Sequence, residues 1–179
     1  MEKEWDMIEI LRHSRHDWLN RLQLIKGNLD LNRIERAKEV INQIVIEAQH
    51  ETKLSNLPMP QFVTLLLRTN WENRSFQLEY EIFEDPEYIT VNDKALTDWT
   101  SSFFTCLDQS VEVFQENHLS ITIEPQSDGI RFFFDFSGII INRKLIEQFL
   151  DQTYVPDMEL EIKEFTDNEL TIESFLPAL

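Results

Sequence analysis

The sequence contains few of the residues that several classes of protein need. Among its 179 residues there is one cysteine, Cys106, and there are three glycines, Gly27, Gly129 and Gly138. A single cysteine excludes a disulfide within the chain, which is typical of a reducing compartment. Three scattered glycines cannot form a P-loop or a G-x-G-x-x-G cradle, because both need clustered glycines around a phosphate.

Long apolar runs and an excess of basic residues are missing as well. No stretch approaches the about 18 consecutive apolar residues that a membrane span needs, and the acidic start, MEKEWDM, lacks the apolar region of a signal peptide. The net charge is −17, whereas binding to nucleic acid phosphates requires a basic face. We therefore expect a cytoplasmic protein that has neither nucleic acid nor a membrane as a partner.

The charge is divided unevenly along the chain. Residues 1–57 hold 9 Lys and Arg residues against 10 Asp and Glu residues, a net charge of −1, while residues 58–179 hold 7 against 23, a net charge of −16. A shift of this size predicts two domains with different tasks, residues 1–57 and residues 58–179. The nearly neutral first domain is better suited to meeting an acidic protein or a phosphate.

Apolar residues in the first domain repeat at helical spacing. The first predicted helix is weakened near its end by Gly27, Asn28, Asp30 and Asn32. A second apolar stripe follows and predicts a helix from about 33 to 54. Two long helices with a short connection predict an antiparallel hairpin, and pairing two hairpins into a four-helix bundle buries their apolar stripes. We expect such a homodimer; packing of the hairpin on its own C-terminal domain is the alternative. The stripe of the first helix, the apolar seam, consists of Ile8, Leu11, Arg15, Trp18, Leu22, Ile25 and Leu29.

Helical and extended patterns alternate in the second domain. The order predicts one mostly antiparallel sheet covered by helices. The fold class of the whole chain is therefore expected to be α+β, with a helical hairpin followed by an α/β sandwich. The predicted helices span 61–71, 93–115 and 142–152, and the predicted strands span 77–83, 118–124, 130–136, 159–165 and 169–175.

Two histidines, His13 and His16, lie among arginines in the first predicted helix. At about 100° per residue, His16 lies about 100° from the seam at Arg15, on the flank of the helix, and His13 lies about 160° from it, on the outer back. A zinc site needs three or four ligands, and the remaining His and Cys residues are scattered, so we expect no metal. The pattern alone leaves two possibilities open, a reactive His16 and a pair of inert surface histidines.

The string HSRHDWLNRLQLIKGNLDLNRIERAKEVI, at residues 13–41, resembles the sporulation initiation phosphotransferase B family of spore-forming bacilli. The resemblance extends through HETKLSNL at residues 50–57 and, more loosely, to ENHLSITIE at residues 116–124. The helical dimerisation segment of sensor histidine kinases carries a related pattern, H-D-x-x-N-x-L-Q-x-I-x-G, which is matched from His16 to Gly27.

The resemblance implies a phosphorelay phosphotransferase in which His16 is the phosphoacceptor. His16 would take a phosphoryl group from the aspartyl phosphate of a single-domain response regulator. It would then pass the group to an aspartate of a second response regulator, a transcription factor for sporulation. The family also implies a hairpin that dimerises into a four-helix bundle, with His16 on its surface.

The same resemblance implies that the second domain is related to the ATP-binding domain of histidine kinases but degenerate. Gln109 stands where the kinases carry an asparagine, and FDFSG at residues 134–138 keeps one aspartate and one glycine of the first glycine box. The second box has no counterpart, because no glycine follows Gly138. We therefore expect no cofactor on this chain and no use of ATP, with Mg²⁺ held by the response regulator.

Residues around His16 are the candidates for contact with the two regulators. Arg12 or Arg15 would steady the phosphate or steer an acidic partner, although for Arg15 an ion pair across the bundle is equally open. Asp17, which helix geometry places on another face of the helix from His16, would orient or pair with a neighbouring cation. For the whole chain, a non-catalytic dimeric scaffold and a fragment of a sensor histidine kinase are the alternatives. The further predicted docking residues are Leu19, Asn20, Gln23 and Lys26.

Overall fold

The computed structural model describes residues 7–83, 89–152, 155–156 and 158–179, so the acidic start of the chain lies outside the described residues. The chain divides into two compact units, Met1–Thr52 and Lys53–Leu179. None of the helices in the described ranges is both long and apolar enough to cross a membrane. The elements are α1 (Met7–Asp30), α2 (Ile34–Ser55), α3 (Pro60–Thr69), β1 (Gln77–Ile82), α4 (Asp93–Ser110), β2 (His118–Gln126), β3 (Gly129–Ser137), α5 (Arg143–Gln152), β4 (Glu159–Phe165) and β5 (Glu169–Pro177).

Helix α1 continues through Gly27 and is capped after it by Asn32. Asn32 takes the left-handed conformation, with φ of 55°, which asparagine tolerates better than most residues. The N–H of Arg33 donates to the C=O of Asn28 at 2.8 Å, as in a Schellman motif. Gly27 is therefore an ordinary helical position, where a glycine costs about 1 kcal/mol relative to alanine.

Helices α1 and α2 form the antiparallel hairpin of the first unit. They are joined by residues 31–33, and Arg21 of α1 pairs with Glu47 of α2 at 2.6 Å. Ala37 of α2 is buried, and Ile44 is half-buried. The apolar seam, by contrast, is largely uncovered, because five of its side chains are 49% to 66% exposed, namely Ile8, Leu11, Trp18, Leu22 and Leu29.

The five strands form one sheet in the order β1-β2-β3-β5-β4. Strand β1 pairs with β2 in parallel, and the other three pairs are antiparallel. The parallel pair requires a crossover, which α4 supplies between β1 and β2. The mostly antiparallel sheet predicted from the sequence is thus confirmed.

Helices α3, α4 and α5 cover one face of this sheet. Phe62 of α3 lies against Phe132 of β3, with ring centroids 5.5 Å apart, and Trp99 of α4 lies 5.1 Å from Phe134. Phe149 of α5 lies 6.1 Å from Trp99. Strand residues alternate in direction, and the opposite face carries mostly polar side chains together with Phe133 and Phe175. The second unit is a two-layer sandwich, which confirms the α+β class.

Helix α4 ends at Ser110, earlier than the sequence predicted. Val111 is extended, with φ of −113° and ψ of 154°, and pairs with Ile140 after β3. Phe114 then takes a left-handed φ of 63°. The predicted helix 93–115 was too long because β-branched residues at this point favour an extended chain, and a distant segment pairs with it.

Candidate functional site

His16 lies within α1 with its imidazole ring 72% exposed. The side-chain amide nitrogen Nδ2 of Asn20, one turn later, lies 3.2 Å from Nδ1 of the ring and donates to it when that ring nitrogen carries no proton. A carboxylate oxygen of Asp17 lies 3.7 Å from the same nitrogen. Both groups approach Nδ1, so neither engages Nε2 on the opposite side of the ring.

The chemistry of His16 follows from which groups face Nδ1. The carboxylate of Asp17 can only accept a hydrogen bond. The side-chain amide of Asn20 can present its oxygen in place of its nitrogen to Nδ1 when the amide group rotates by a half-turn. A neutral ring with its proton on Nδ1 can therefore donate on this side and keep the lone pair of Nε2 available. Such an imidazole is a nucleophile near neutral pH.

Two details differ from the helical geometry inferred from the sequence. Asp17 was placed on another face, yet its carboxylate reaches Nδ1 of His16. His13 was placed on the outer back of the helix, yet it is half-buried and more covered than His16. The reason is that His13 lies within about 80° of Arg21 around α1, and Arg21 faces α2.

The exposed side of α1 carries a row of residues in steps of four, three and four. Arg12 is exposed one turn before the row, and Lys26, beside its end, is exposed and donates to Asp30 at 3.1 Å. Leu19 is exposed between the row and the seam, and Arg15 is exposed on the seam itself. We refer to the row as the His16 face; it consists of His16, Asn20, Gln23 and Gly27.

A metal site finds no support in the part of the chain that the structure describes. There, no group of three or more His, Cys, Asp or Glu side chains could hold an ion. Cys106 is buried in α4, and its burial raises the pKa of the thiol. A thiol kept protonated in this way is a poor nucleophile and a poor metal ligand.

Gly138, the glycine of FDFSG, is required by packing within the second unit. A Cβ atom at this position would lie 2.2 Å from Oδ1 of Asn117. The Asn117 side chain, 2% exposed, donates to the C=O groups of Ser75 and Glu112, both at 2.8 Å, and accepts from the N–H of Ile139 at 3.0 Å. The sequence offered no signal for Asn117, because two of these partners lie 42 and 22 positions away.

Asp135, the aspartate of the same segment, lies on the face of the sheet opposite to the helices. It is exposed, whereas its neighbours Phe134 and Phe136 are buried beneath α3, α4 and α5. Gln109 is exposed near the end of α4. Of the residues singled out by the resemblance to histidine kinases, Asp135 and Gln109 are thus exposed, and Gly138 packs against Asn117.

Two solved structures of histidine kinases are similar to the chain. The Acinetobacter baumannii histidine kinase AdeS has a TM-score of 0.47 and 8% sequence identity, and the match covers 91% of this chain and 98% of that one. The histidine kinase ThkA, in complex with the response regulator protein TrrA, has a TM-score of 0.46 and 13% identity, over 96% of this chain and 61% of that one.

Family models and a curated relative match almost the entire chain. Residues 1–57 match the family described as "Sensor_kinase_SpoOB-type, alpha-helical domain", and residues 58–177 match "Sporulation initiation phospho-transferase B, C-terminal". The sporulation initiation phosphotransferase B of Bacillus subtilis (strain 168) is 35% identical over 170 residues, which cover 94% of this chain and 88% of the relative. The chain therefore belongs to the sporulation initiation phosphotransferase B family.

Proposed function

We propose that the chain is a phosphotransferase of a phosphorelay that controls sporulation, with His16 as the phosphoacceptor. This proposal rests on the exposed imidazole of His16, whose Nδ1 is faced by Asn20 and Asp17 of the same helix. Membership of a phosphotransferase family supports the same conclusion. The donor is the aspartyl phosphate of a single-domain response regulator, and the acceptor is an aspartate of a second, transcription-factor response regulator.

Transfer proceeds by attack of Nε2 of His16 on phosphorus, in line with the acyl phosphate bond. The N–P bond forms while the P–O bond to the donor aspartate breaks, and the carboxylate leaves with the electron pair. The proton on Nδ1 stays on the ring, and this N–H can donate a hydrogen bond to the carboxylate of Asp17 or, after a half-turn of the amide, to Oδ1 of Asn20. In the second transfer the acceptor carboxylate attacks phosphorus and Nε2 leaves. Such transfers depend mainly on positioning and charge neutralisation, with Mg²⁺ supplied by the regulators.

Cations beside the His16 face suit an acidic partner site. Arg12 lies one turn before His16, and Lys26 lies about three turns after it; both side chains are exposed. Positive charges at these positions steer a partner whose phosphorylation site is rich in carboxylates. Leu19 and Gln23 add exposed contact surface. Because both regulators need His16, they compete for this one surface.

The exposed apolar seam supports a homodimer formed through the hairpin. Contiguous exposed apolar patches of this kind are unusual on monomers, and a four-helix bundle of two hairpins would bury both seams. His16 lies about 160° around α1 from Trp18 of the seam. Its ring therefore remains open in such a dimer, whereas Arg15 lies at the interface.

The second unit supports transfer that does not use ATP. The space beside Gly138, where a phosphate cradle would need free backbone, is occupied by Asn117. Asp135 is directed away from the helices, and three glycines in the whole chain are too few for two glycine boxes. These features agree with a phosphoryl group that comes from another phosphoprotein.

Labelled phosphoryl transfer tests this proposal. The full chain is mixed with a single-domain regulator phosphorylated with ³²P, and acid-labile, base-stable label on the chain is followed over time. The unmodified chain and the His118→Ala variant, which lacks an exposed histidine of the second unit, should be labelled alike, and His16→Ala should take up none.

Three results would contradict parts of the proposal. Label on His16→Ala would exclude His16 as the phosphoacceptor. Labelling by Mg-ATP alone would show a kinase activity. Binding of the regulator with no labelling of the unmodified chain would favour the dimeric scaffold.

A further inference from the structure

Within the part of the chain that the structure describes, no contact of Gly27 explains why a glycine is there. Of the three glycines, all in described ranges, it alone lies in a helix. Among the residues that the structure describes, nothing lies within 4 Å of a Cβ atom built on Gly27. The two other glycines differ, because a Cβ on Gly129 or Gly138 would lie 2.4 Å or 2.2 Å from a neighbouring atom.

Backbone conformation and capping do not require a glycine at this position either. No glycine of the chain has a positive φ, and the C=O of Gly27 accepts the N–H of Leu31 at 3.2 Å as in a regular helix. The left-handed residue that ends α1 is Asn32. An exposed helical glycine without these roles lowers helix stability, and it has no compensating benefit in the isolated chain.

The position of Gly27 around α1 indicates what it faces. It follows His16 by eleven residues, which places it within about 20° of His16 around the helix and about 16 Å further along the axis. It lies about 160° from Leu29 of the apolar seam. A second copy of the chain packed on the seam therefore lies on the opposite side of α1.

We propose that Gly27 is the position where the backbone of a docked response-regulator domain comes closest to α1. A glycine on a helix surface lets another backbone approach to contact distance, which a Cβ would prevent. A compact domain of about 100 residues has a radius of gyration of about 13 Å, so one domain reaches both His16 and Gly27. The exposed cations Arg12 and Lys26 border the same surface and complement an acidic partner.

The inference rests on the proposed function and names a second contact of the same docking surface. The glycine sets affinity and lies too far from His16 to act on phosphorus. Adding a Cβ should therefore weaken docking, while His16 keeps its geometry.

Substitution of Gly27 in the full chain separates docking from folding. For Gly27→Ala we expect an equal or higher urea midpoint and a dissociation constant for the unphosphorylated regulator raised about tenfold, with a larger rise for Gly27→Leu. The matched control is Asn42→Leu, which adds bulk at an exposed position of α2 and should leave affinity unchanged. Transfer to His16 at saturating regulator should keep its rate.

Three outcomes overturn the inference: unchanged affinity of both Gly27 variants, a lower urea midpoint for Gly27→Ala, or a change in dimer dissociation in place of regulator affinity. The labelling experiment distinguishes a failure of this inference from a failure of the proposed function. If His16→Ala is still labelled, the proposed phosphoacceptor fails, whereas the titration of Gly27→Ala still measures docking. If the unmodified chain is labelled and Gly27→Ala binds normally, the inference about Gly27 fails alone.

Discussion

Asn20 is placed to act either on the His16 ring or on a bound regulator. Its amide contacts Nδ1 at 3.2 Å, and it also belongs to the exposed His16 face. A residue that holds the ring affects the rate of transfer, whereas a residue that contacts the partner affects affinity. The contact with Nδ1 favours the first role.

Replacement of Asn20 by alanine should slow phosphoryl transfer about tenfold at saturating regulator. The dissociation constant of the regulator should change less than about twofold, since the ring and not the partner loses a contact. Rapid-quench labelling and a fluorescence titration measure the two quantities. Gln23→Ala, one turn further along the face, provides the comparison, because it should weaken binding and keep the rate. A normal rate with reduced affinity for Asn20→Ala would assign Asn20 to docking.

At the scale of the elements, charged side chains pair with one another at the edge of the sheet formed by β4. Strand β4 pairs with β5 along this edge. Glu173 of β5 accepts hydrogen bonds from Lys163 of β4 at 2.9 Å and from Arg131 of β3. Lys163 also pairs with Glu161 at 2.5 Å. The hydrogen bond from Lys163, followed by the charges of Lys163 and Arg131, holds the pKa of Glu173 below its usual value.

Glu173→Gln should therefore destabilise the second unit at neutral pH, by less than about 1 kcal/mol because the cluster is partly exposed. A lowered carboxyl pKa stabilises the fold above the ordinary glutamate value of about 4.3. That stabilisation is lost as the pH falls through the lower pKa of the folded state.

Urea unfolding of the two proteins at pH 7 and at pH values below 4 measures the difference. We expect it to shrink in acid, while Glu79→Gln, an exposed change on β1, shows little difference at either pH. A difference of the same size at all pH values would indicate that lost packing, and not charge, is responsible.

At the scale of the whole molecule, the two units carry different surfaces. The first unit is nearly neutral and exposes an apolar seam, whereas the second holds most of the negative charge and the buried aromatic core. The proposed dimer uses the seam and leaves the His16 face to the regulators. The seam and the His16 face of α1 thus have one proposed partner each.

Leu22→Asp should convert the proposed dimer to monomers. Two leucines are lost from each dimer, and each contributes roughly 2 kcal/mol of apolar burial, so the dissociation constant should rise roughly a thousandfold. Sedimentation velocity over a concentration series measures the change. Leu24→Asp is a matched control, because Leu24 is 55% exposed against 56% for Leu22 but lies off the seam. Equal dimerisation of both variants would exclude the seam as the interface.

The sequence by itself determined the features that depend on neighbours along the chain. Periodicity predicted the hairpin, the strands and the position of His16 on an open side of α1, because these follow from repeats of two or of three to four residues. The string at residues 13–41 indicated the family. The assignment of His16 as phosphoacceptor stays a prediction.

The tertiary structure decided what depends on residues far apart in the chain. Pairing with Ile140 ends α4 early, and contact with Asn117 makes Gly138 a packing glycine. The capping of α1 by Asn32 left Gly27 without a role among the residues that the structure describes. The physical reason is that hydrogen bonds and close packing are set by which segments meet in space, and a local sequence pattern does not contain that information.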